Sequence, residues 1–218
     1  MSSPMKSCTL DPVPTFLLKE FVDVLLPYVT NMVNASLSQS RLPDSQKHAL
    51  VTPLLKRPGF DTADMANYRP VSNVTFVSKI VERAVAKQIH QYLEANGLLP
   101  RHQSAYRRHH STETAMLRVV SDVLNAADAA SDAAWSVGSP AAFDCVDHQL
   151  LLHRLHRDFG LTDTVLNWVT SFVTGRSQQV VCNGLLSTIQ YLQFGVPQRS
   201  VLDPIRYSLL CTQPNSVM

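Results

Sequence analysis

The chain has 218 residues, of which 45% are hydrophobic and 17% charged, and its formal net charge at pH 7 is only +2. This composition excludes a disordered chain and a uniformly basic nucleic-acid-binding protein, and the length suits one sizeable core or one lobe of a larger enzyme. The charge is uneven, because residues 56–110 carry nine Lys or Arg against four Asp or Glu. A positive lobe of this kind attracts phosphate groups.

The first half of the chain is predicted to be mainly helical. Residues 1–13 lack periodicity and indicate a loose tail. Apolar residues recur at helical spacing over 15–26, and Pro27 is expected to end that helix or to open the next, which runs to residue 37. Ala49–Leu55 alternates and contains β-branched residues, which predicts a strand before a turn at Pro58-Gly59.

Two longer helices follow in chain order. Ser78–Ala95 has one continuous apolar face, and Asn96-Gly97 supplies its C-terminal stop. Ser111 is a good N-cap for a helix that runs to about Ala127, with Glu113 in the first turn, where the helix dipole favours an acid.

The last third is predicted to contain two helices and a hairpin. Asp147 and Thr162 are expected to cap helices that end near Gly160 and Gly175. Residues 177–182 and 187–194 read as strands around the turn Asn183-Gly184. Residues 129–140 are rich in Ala, Gly and Pro, which are poor strand formers, so any strand there should be short.

Metal-binding and hydrolase patterns are missing from the sequence. The cysteines Cys8, Cys145, Cys182 and Cys211 lack zinc-site spacing, and no signal peptide precedes them, so a reduced intracellular compartment is expected, nuclear or cytoplasmic. The histidines 109, 110, 148, 153 and 156 form no H-E-x-x-H motif. The apolar stretch 16–29 contains three charges and is too short to span a bilayer, so no membrane partner is expected.

Six blocks in order resemble a LINE-type (non-LTR) retrotransposon reverse transcriptase. Residues 138–148, GSPAAFDCVDH, are similar to the family block D-L-S-A-A-F-D-x-V-D-H. Residues 67–73 read NYRPVSN against the family's N-Y-R-P-I-S-N, and residues 195–204 read GVPQRSVLDP against G-V-P-Q-G-S-V-L-G-P. The remaining blocks are residues 51–59, 103–115 and 159–176.

The resemblance implies an α+β fold like a right-handed polymerase, helix-rich with a small antiparallel sheet. Residues 14–128 would form a helix-rich fingers part and residues 129–218 a partial palm. It also implies an RNA-directed DNA polymerase of a mobile element, with an RNA template and a DNA primer as partners.

The same resemblance indicates a damaged catalytic centre. The family's metal-ligand Asp is replaced by Gly138, and glycine cannot hold the Mg²⁺ that nucleotidyl transfer uses. The chain is also expected to end before the family's Asp-Asp hairpin. No catalytic residue is therefore expected to be intact, no metal or cofactor is expected for this copy, and Asp144 is a poor substitute because it lies six positions on.

Other family positions are kept. By resemblance Lys56, Arg107, Phe143 and Gln198 would contact the nucleotide, and Arg69 and Arg108 the nucleic acid. Lys and Arg make charge-assisted bonds to phosphate, although a surface charge is the plain alternative for Lys56 and Arg107. Three family glycines near the ligand are replaced, by Ala105, Arg199 and Asp203.

Two alternatives to an inactive polymerase domain stay open. The first is a non-catalytic fragment that binds RNA or DNA weakly through the positive lobe and its tyrosines 68, 92 and 106. The second is a translated relic that folds poorly, because a family sheet that lacks its hairpin exposes a strand edge.

Overall fold

The computed structural model of the protein describes residues 9–11, 13–99, 110–128, 146–195 and 200–202. Six α-helices and five strands lie in these ranges, which makes the fold a mixture of helices and a small sheet. The helices are α1 Thr15–Glu20, α2 Val22–Ser38, α3 Phe76–Ala95, α4 Thr112–Asp128, α5 His148–Arg157 and α6 Asp163–Val173. The strands are β1 His48–Leu55, β2 Tyr68–Asn73, β3 Ser177–Cys182, β4 Leu185–Leu186 and β5 Gln190–Tyr191.

The sheet is mixed, so the expectation of a wholly antiparallel sheet is wrong. β1 pairs antiparallel with β2, from Leu50 opposite Asn73 to Leu55 opposite Tyr68. On its other side β1 pairs parallel with β3, with Val51 opposite Val180. Both β4 and β5 pair antiparallel with β3. A parallel pair needs a long crossover, and α3 to α6 all lie between β1 and β3 in the sequence.

The first helical segment breaks at Phe21 rather than at Pro27. Phe21 separates α1 from α2, and Pro27 lies inside α2. The expected position of this boundary is therefore wrong. Two other helix signals are confirmed: α3 stops at Asn96-Gly97, where Gly97 has φ 65°, and the Ser111 hydroxyl accepts a hydrogen bond from Thr114 N at 3.1 Å before α4. Thr162 lies just before α6 as expected, but its side chain makes no capping hydrogen bond.

The turn Asn183-Gly184 forms as expected, but the second strand of the hairpin is divided. Both residues have positive φ, 50° and 80°, which suits a tight two-residue turn. The prediction of a single strand over 187–194 is wrong, because Ser187 interrupts the backbone hydrogen bonding to β3 between β4 and β5. Its hydroxyl accepts from Val180 N at 2.9 Å, and such side-chain bonds compete with strand pairing.

The core lies among helices from both halves of the chain. Val81, Ile89 and Leu93 of α3 are buried with Leu151 of α5 and with Trp168 of α6. The rings of Trp168 and Phe172 stack with centroids 5.4 Å apart. This core and the β1–β3 ladder both join residues 14–128 to residues 129–218. The division of the chain into fingers and palm at this boundary stays a prediction.

The large apolar residues of α4 are exposed, whereas most of those of α3 are buried or half-buried. Leu117 and Leu124 have 69% and 60% of their surface accessible. None of the helices in the described ranges combines the length and the hydropathy needed to cross a bilayer.

Candidate functional site

Lys56 follows directly after β1, at the end of the β1–β2 hairpin. Its backbone N–H donates to Asn67 O at 2.9 Å, which extends the ladder by one more pair. Its ammonium donates to Ala66 O at 2.8 Å and is exposed. An ammonium has three donors, so this single bond orients the Lys56 side chain and leaves it able to bind an anion.

The loop that presents Ala66 to Lys56 is ordered by its own hydrogen bonds. The Asp64 carboxylate accepts from Ala66 N at 2.8 Å, and the Asp61 carboxylate accepts from Ala63 N at 2.9 Å. The Tyr68 hydroxyl donates to Thr62 O at 3.1 Å across the base of the loop. The position of the Lys56 ammonium is thus set by a folded loop.

Arg69 lies on the same face of the hairpin as Lys56. It is opposite Leu54 in the β1–β2 register, and Lys56 is two residues beyond Leu54. Since side chains alternate between faces, these three positions share one face, with diagonal neighbours about 7–8 Å apart. Arg69 is exposed. The structure therefore brings together the two predicted cationic residues that it describes.

Five of the predicted site positions lie outside the described residues. They are Arg107, Arg108, Gly138, Phe143 and Gln198. Asp144 and the weak strand expected over 129–140 also lie outside them. The roles assigned to these positions stay predictions.

The blocks 138–148 and 195–204 meet at their described ends. Asp147 caps α5 as expected, since its carboxylate accepts from Gln149 N and Leu150 N at 2.8 and 3.0 Å. On either side of Asp147, Val146 O accepts from Gly195 N at 2.8 Å, and His148 Nε2 lies 2.7 Å from Gly195 O. A carbonyl oxygen only accepts, so His148 Nε2 carries the proton.

The end of the second block contacts α3 through a residue that the sequence did not single out. Glu82 is fully buried, and its Oε2 accepts from the Ser200 hydroxyl at 2.7 Å and from Val201 N at 2.9 Å. The available signal was its place in the apolar stripe of α3, between Val81 and Val85. An acid in such a stripe calls for donors to satisfy it.

Whether this copy can hold the Mg²⁺ that the family implies stays a prediction, because Gly138 lies outside the described residues. Magnesium prefers carboxylate oxygens, and by the resemblance Gly138 would offer none at the family's first ligand position. Within the described ranges, no three His, Cys, Asp or Glu side chains are grouped so that they could hold a metal ion. The imidazole of His148 is hydrogen-bonded to the backbone of Gly195.

Comparison with known proteins supports the resemblance. The sequence model of the family described as "Reverse transcriptase (RNA-dependent DNA polymerase)" matches residues 55–214. The chain is 31% identical over 183 residues to the probable RNA-directed DNA polymerase from transposon X-element of Drosophila melanogaster, covering 84% of this chain and 20% of that relative. It is 29% identical over 207 residues to the RNA-directed DNA polymerase from mobile element jockey of Drosophila funebris, covering 94% and 22%.

The chain therefore spans about a fifth of the length of these relatives. The family match extends over most of the chain, and both relatives are named as polymerases of mobile elements. Together with the six blocks, these matches show that the chain belongs to the reverse transcriptase (RNA-dependent DNA polymerase) family, in its LINE-type (non-LTR) branch.

Proposed function

We propose that this chain is a reverse transcriptase domain that has lost polymerase activity, and that Gly138 is the cause. Nucleotidyl transfer needs divalent cations held by hard oxygen ligands, which stabilise charge on the reacting phosphate. Gly138 stands where the family has one of those ligands. The single observation that carries the proposal is the absence of a carboxylate at this position of the sequence.

The first test is primer extension on a primed RNA template in Mg²⁺ buffer with the purified chain. We expect no product above a control without protein. Extension by the parent chain would contradict the proposal and direct attention to Asp144 as a replacement ligand.

A matched control separates the effect of residue 138 from other causes of inactivity. In an active member of the family, the matching Asp is replaced by Gly. We expect this change to reduce the extension rate about a thousandfold, because it removes several kcal/mol of charge stabilisation. A loss of less than about tenfold would show that this position does not explain inactivity here.

A second candidate function is non-catalytic binding of a nucleic-acid backbone. It is supported by Lys56 and Arg69, which are exposed on one face of the β1–β2 hairpin. Phosphate contacts by such residues release counterions, so the affinity falls steeply with salt. The paired variant Lys56→Gln with Arg69→Gln removes both charges.

We expect this variant to reduce the salt slope of single-stranded RNA binding by about 1.4 units, or about 0.7 for each lost phosphate contact. Arg83→Gln with Lys87→Gln is the matched control, because both side chains are exposed on α3 and the change in net charge is the same. Equal slopes for the two variants would rule out a specific role for the hairpin face.

A further inference from the structure

An open cavity of about 290 Å³ lies between α3 and α6. Its floor is apolar and includes the buried side chains of Val85, Ile89 and Trp168. Its rim is exposed and includes the neutral polar side chains of Gln88 and Thr162. None of the described residues that line the cavity carries a charge. The cavity therefore suits an uncharged ligand, because a buried charge without a partner is unfavourable.

The size of the cavity indicates how large a ligand it can take. Protein interiors contain few voids larger than a water molecule, whose share of liquid volume is about 30 Å³. An apolar cavity of about 150 Å³ can hold benzene. At about 290 Å³, this cavity has room for a bicyclic aromatic ring system. Such a ligand would also cover an apolar floor that otherwise faces water, which is favourable.

Two aromatic side chains that line the cavity are fixed by hydrogen bonds to the protein itself. Trp168 Nε1 donates to Ser36 Oγ at 3.0 Å, and the Trp168 ring stacks on that of Phe172. The Tyr92 hydroxyl donates to Phe159 O at 3.0 Å. These rings are held in place before a ligand arrives, so less of the binding free energy is lost in ordering them.

The Thr162 hydroxyl supplies a hydrogen-bonding group at the rim of the cavity. Thr162 occupies the N-cap position of α6, but its side chain makes no capping hydrogen bond. A hydroxyl oxygen has two lone pairs that can accept. The Thr162 hydroxyl can therefore accept a hydrogen bond from a ligand N–H or O–H.

We propose that this cavity is a binding site for a small, neutral, bicyclic aromatic molecule that carries one N–H or O–H donor, such as an indole. The ring system packs on Val85 and Ile89 beside Trp168, and its donor binds the Thr162 hydroxyl. The site uses neither Lys56 nor Arg69, so it requires neither polymerisation nor nucleic-acid binding.

Titration of the full chain with indole, followed by nuclear magnetic resonance, tests the site. We expect saturable shifts of the Trp168 side-chain N–H and of the Ile89 signals, with a Kd of about 1 mM or lower for a ligand of this size. The signals of Val180, on β3, should not move. Absence of saturable shifts at Trp168 and Ile89 would overturn the site.

A substitution that fills the cavity locates the bound indole. Val165 of α6 lines the cavity and is 38% exposed, so Val165→Trp takes up ligand space without changing the buried floor. Val123→Trp is the matched control, because Val123 of α4 is 41% exposed and is not among the described residues that line the cavity. We expect Val165→Trp to weaken indole binding at least about tenfold and Val123→Trp to leave it unchanged. Equal affinities of the two variants would overturn the assignment to this cavity.

Thr162→Val tests the hydrogen bond to the ligand. Valine suits residue 162, since its backbone is extended, with φ −127° and ψ 174°. We expect this variant to weaken indole binding about two- to tenfold, because one neutral hydrogen bond is lost. Binding of indene, which has the same shape but no N–H, should not change. An equal effect on the two ligands would overturn the role of the Thr162 hydroxyl, and the variants of residues 165 and 123 would still decide whether the cavity is the site.

Discussion

Ser36 connects α2 to α6 through a single hydroxyl group. It donates to Arg41 O at 2.6 Å and accepts from Trp168 Nε1 at 3.0 Å. Ser36 and Trp168 are both buried, so water cannot replace the hydroxyl. We expect Ser36→Ala to lower the free energy of unfolding by about 1–3 kcal/mol, because the buried indole N–H of Trp168 is left unsatisfied.

Urea unfolding followed by tryptophan fluorescence measures this difference. Ser38→Ala is the control, because its hydroxyl donates to Ala35 O in an exposed position and should cost less than about 0.5 kcal/mol. If the two variants unfold at the same urea concentration, the buried hydroxyl of Ser36 stabilises the fold no more than the exposed hydroxyl of Ser38.

Asp158 makes the stability of the folded protein depend on pH in the acid range. The hydrogen bond from Arg157 Nε at 2.7 Å lowers the pKa of Asp158; burial opposes this, and the charges of Arg157, Arg154 and His153 add to the lowering. Because the pKa is lower in the folded state than the ordinary value of 3.8, the carboxylate stabilises the fold above about pH 4. This contribution is lost as the pH falls through the folded pKa.

We expect Asp158→Asn to flatten the acid side of the stability profile, measured as urea midpoints from about pH 7 to about pH 2.5. Arg157→Gln should flatten it only in part, because Arg154 still lies 3.8 Å from the Asp158 carboxylate. The double variant should behave like Asp158→Asn, since the carboxyl group that responds to acid is then absent. Profiles that run parallel to that of the parent would assign the acid response to other carboxylates.

At the level of single residues, the sequence pointed to cationic positions but not to buried polar anchors. Lys56 and Arg69 come from the block resemblance and share one face of the hairpin, and their binding roles stay predictions. Glu82 was missed because its partners, Ser200 and Val201, are more than a hundred residues away in sequence. No local pattern encodes which distant donors will satisfy a buried acid.

At the level of elements, a proline interrupts the hydrogen bonding of helix α2. Pro27 lies inside the helix and is exposed. It has no N–H to donate to the carbonyl four residues earlier, that of Asp23. We expect Pro27→Ala to stabilise the protein by about 1–3 kcal/mol, because it restores this bond without losing buried contacts.

Thermal unfolding followed by circular dichroism checks this prediction. Thr30→Ala, also exposed in α2, is the control, and it should gain only the few tenths of a kcal/mol that helix preference provides. A lower melting temperature for Pro27→Ala would mean that the proline ring stabilises the fold in a way not visible in its contacts.

Local signals predicted those element boundaries that depend on neighbouring residues. Asp147 caps α5 with two hydrogen bonds, and Asn183-Gly184 forms its turn, because both depend on neighbours in sequence. The break at Phe21 and the interrupted strand at Ser187 were not predictable in this way. The interruption at Ser187 depends on a side-chain hydrogen bond that competes with the regular one, from Val180 N to the Ser187 hydroxyl. The hydrogen bonds of Phe21 do not explain the break there, because its N–H still donates to Leu17 O at 2.9 Å.

At the level of the whole molecule, the two halves of the chain depend on each other. The core combines α2 and α3 with α5 and α6, and β1 pairs with β3. We expect fragments 1–128 and 129–218 to be largely unfolded alone, and to regain helical circular dichroism when mixed. A native-like spectrum of either fragment alone would show instead that it is an independent domain.

The parallel β1–β3 ladder could not be read from the sequence. The strand pattern of 49–55 predicts a strand but names no partner, and register between distant strands is decided by packing. Burial of the core helices fixes that partner, since α3 and α6 pack in the same core cluster.

The β1–β3 ladder also determines when the protein can fold during its synthesis. His48 and Ser177 are hydrogen-bonded neighbours separated by 129 residues. At about 5–20 residues per second, a ribosome takes on the order of ten seconds to make the chain between them. Over that interval β1 has only β2 beside it, and its other edge and the apolar side chains of α3 are open to chaperones or to other nascent chains.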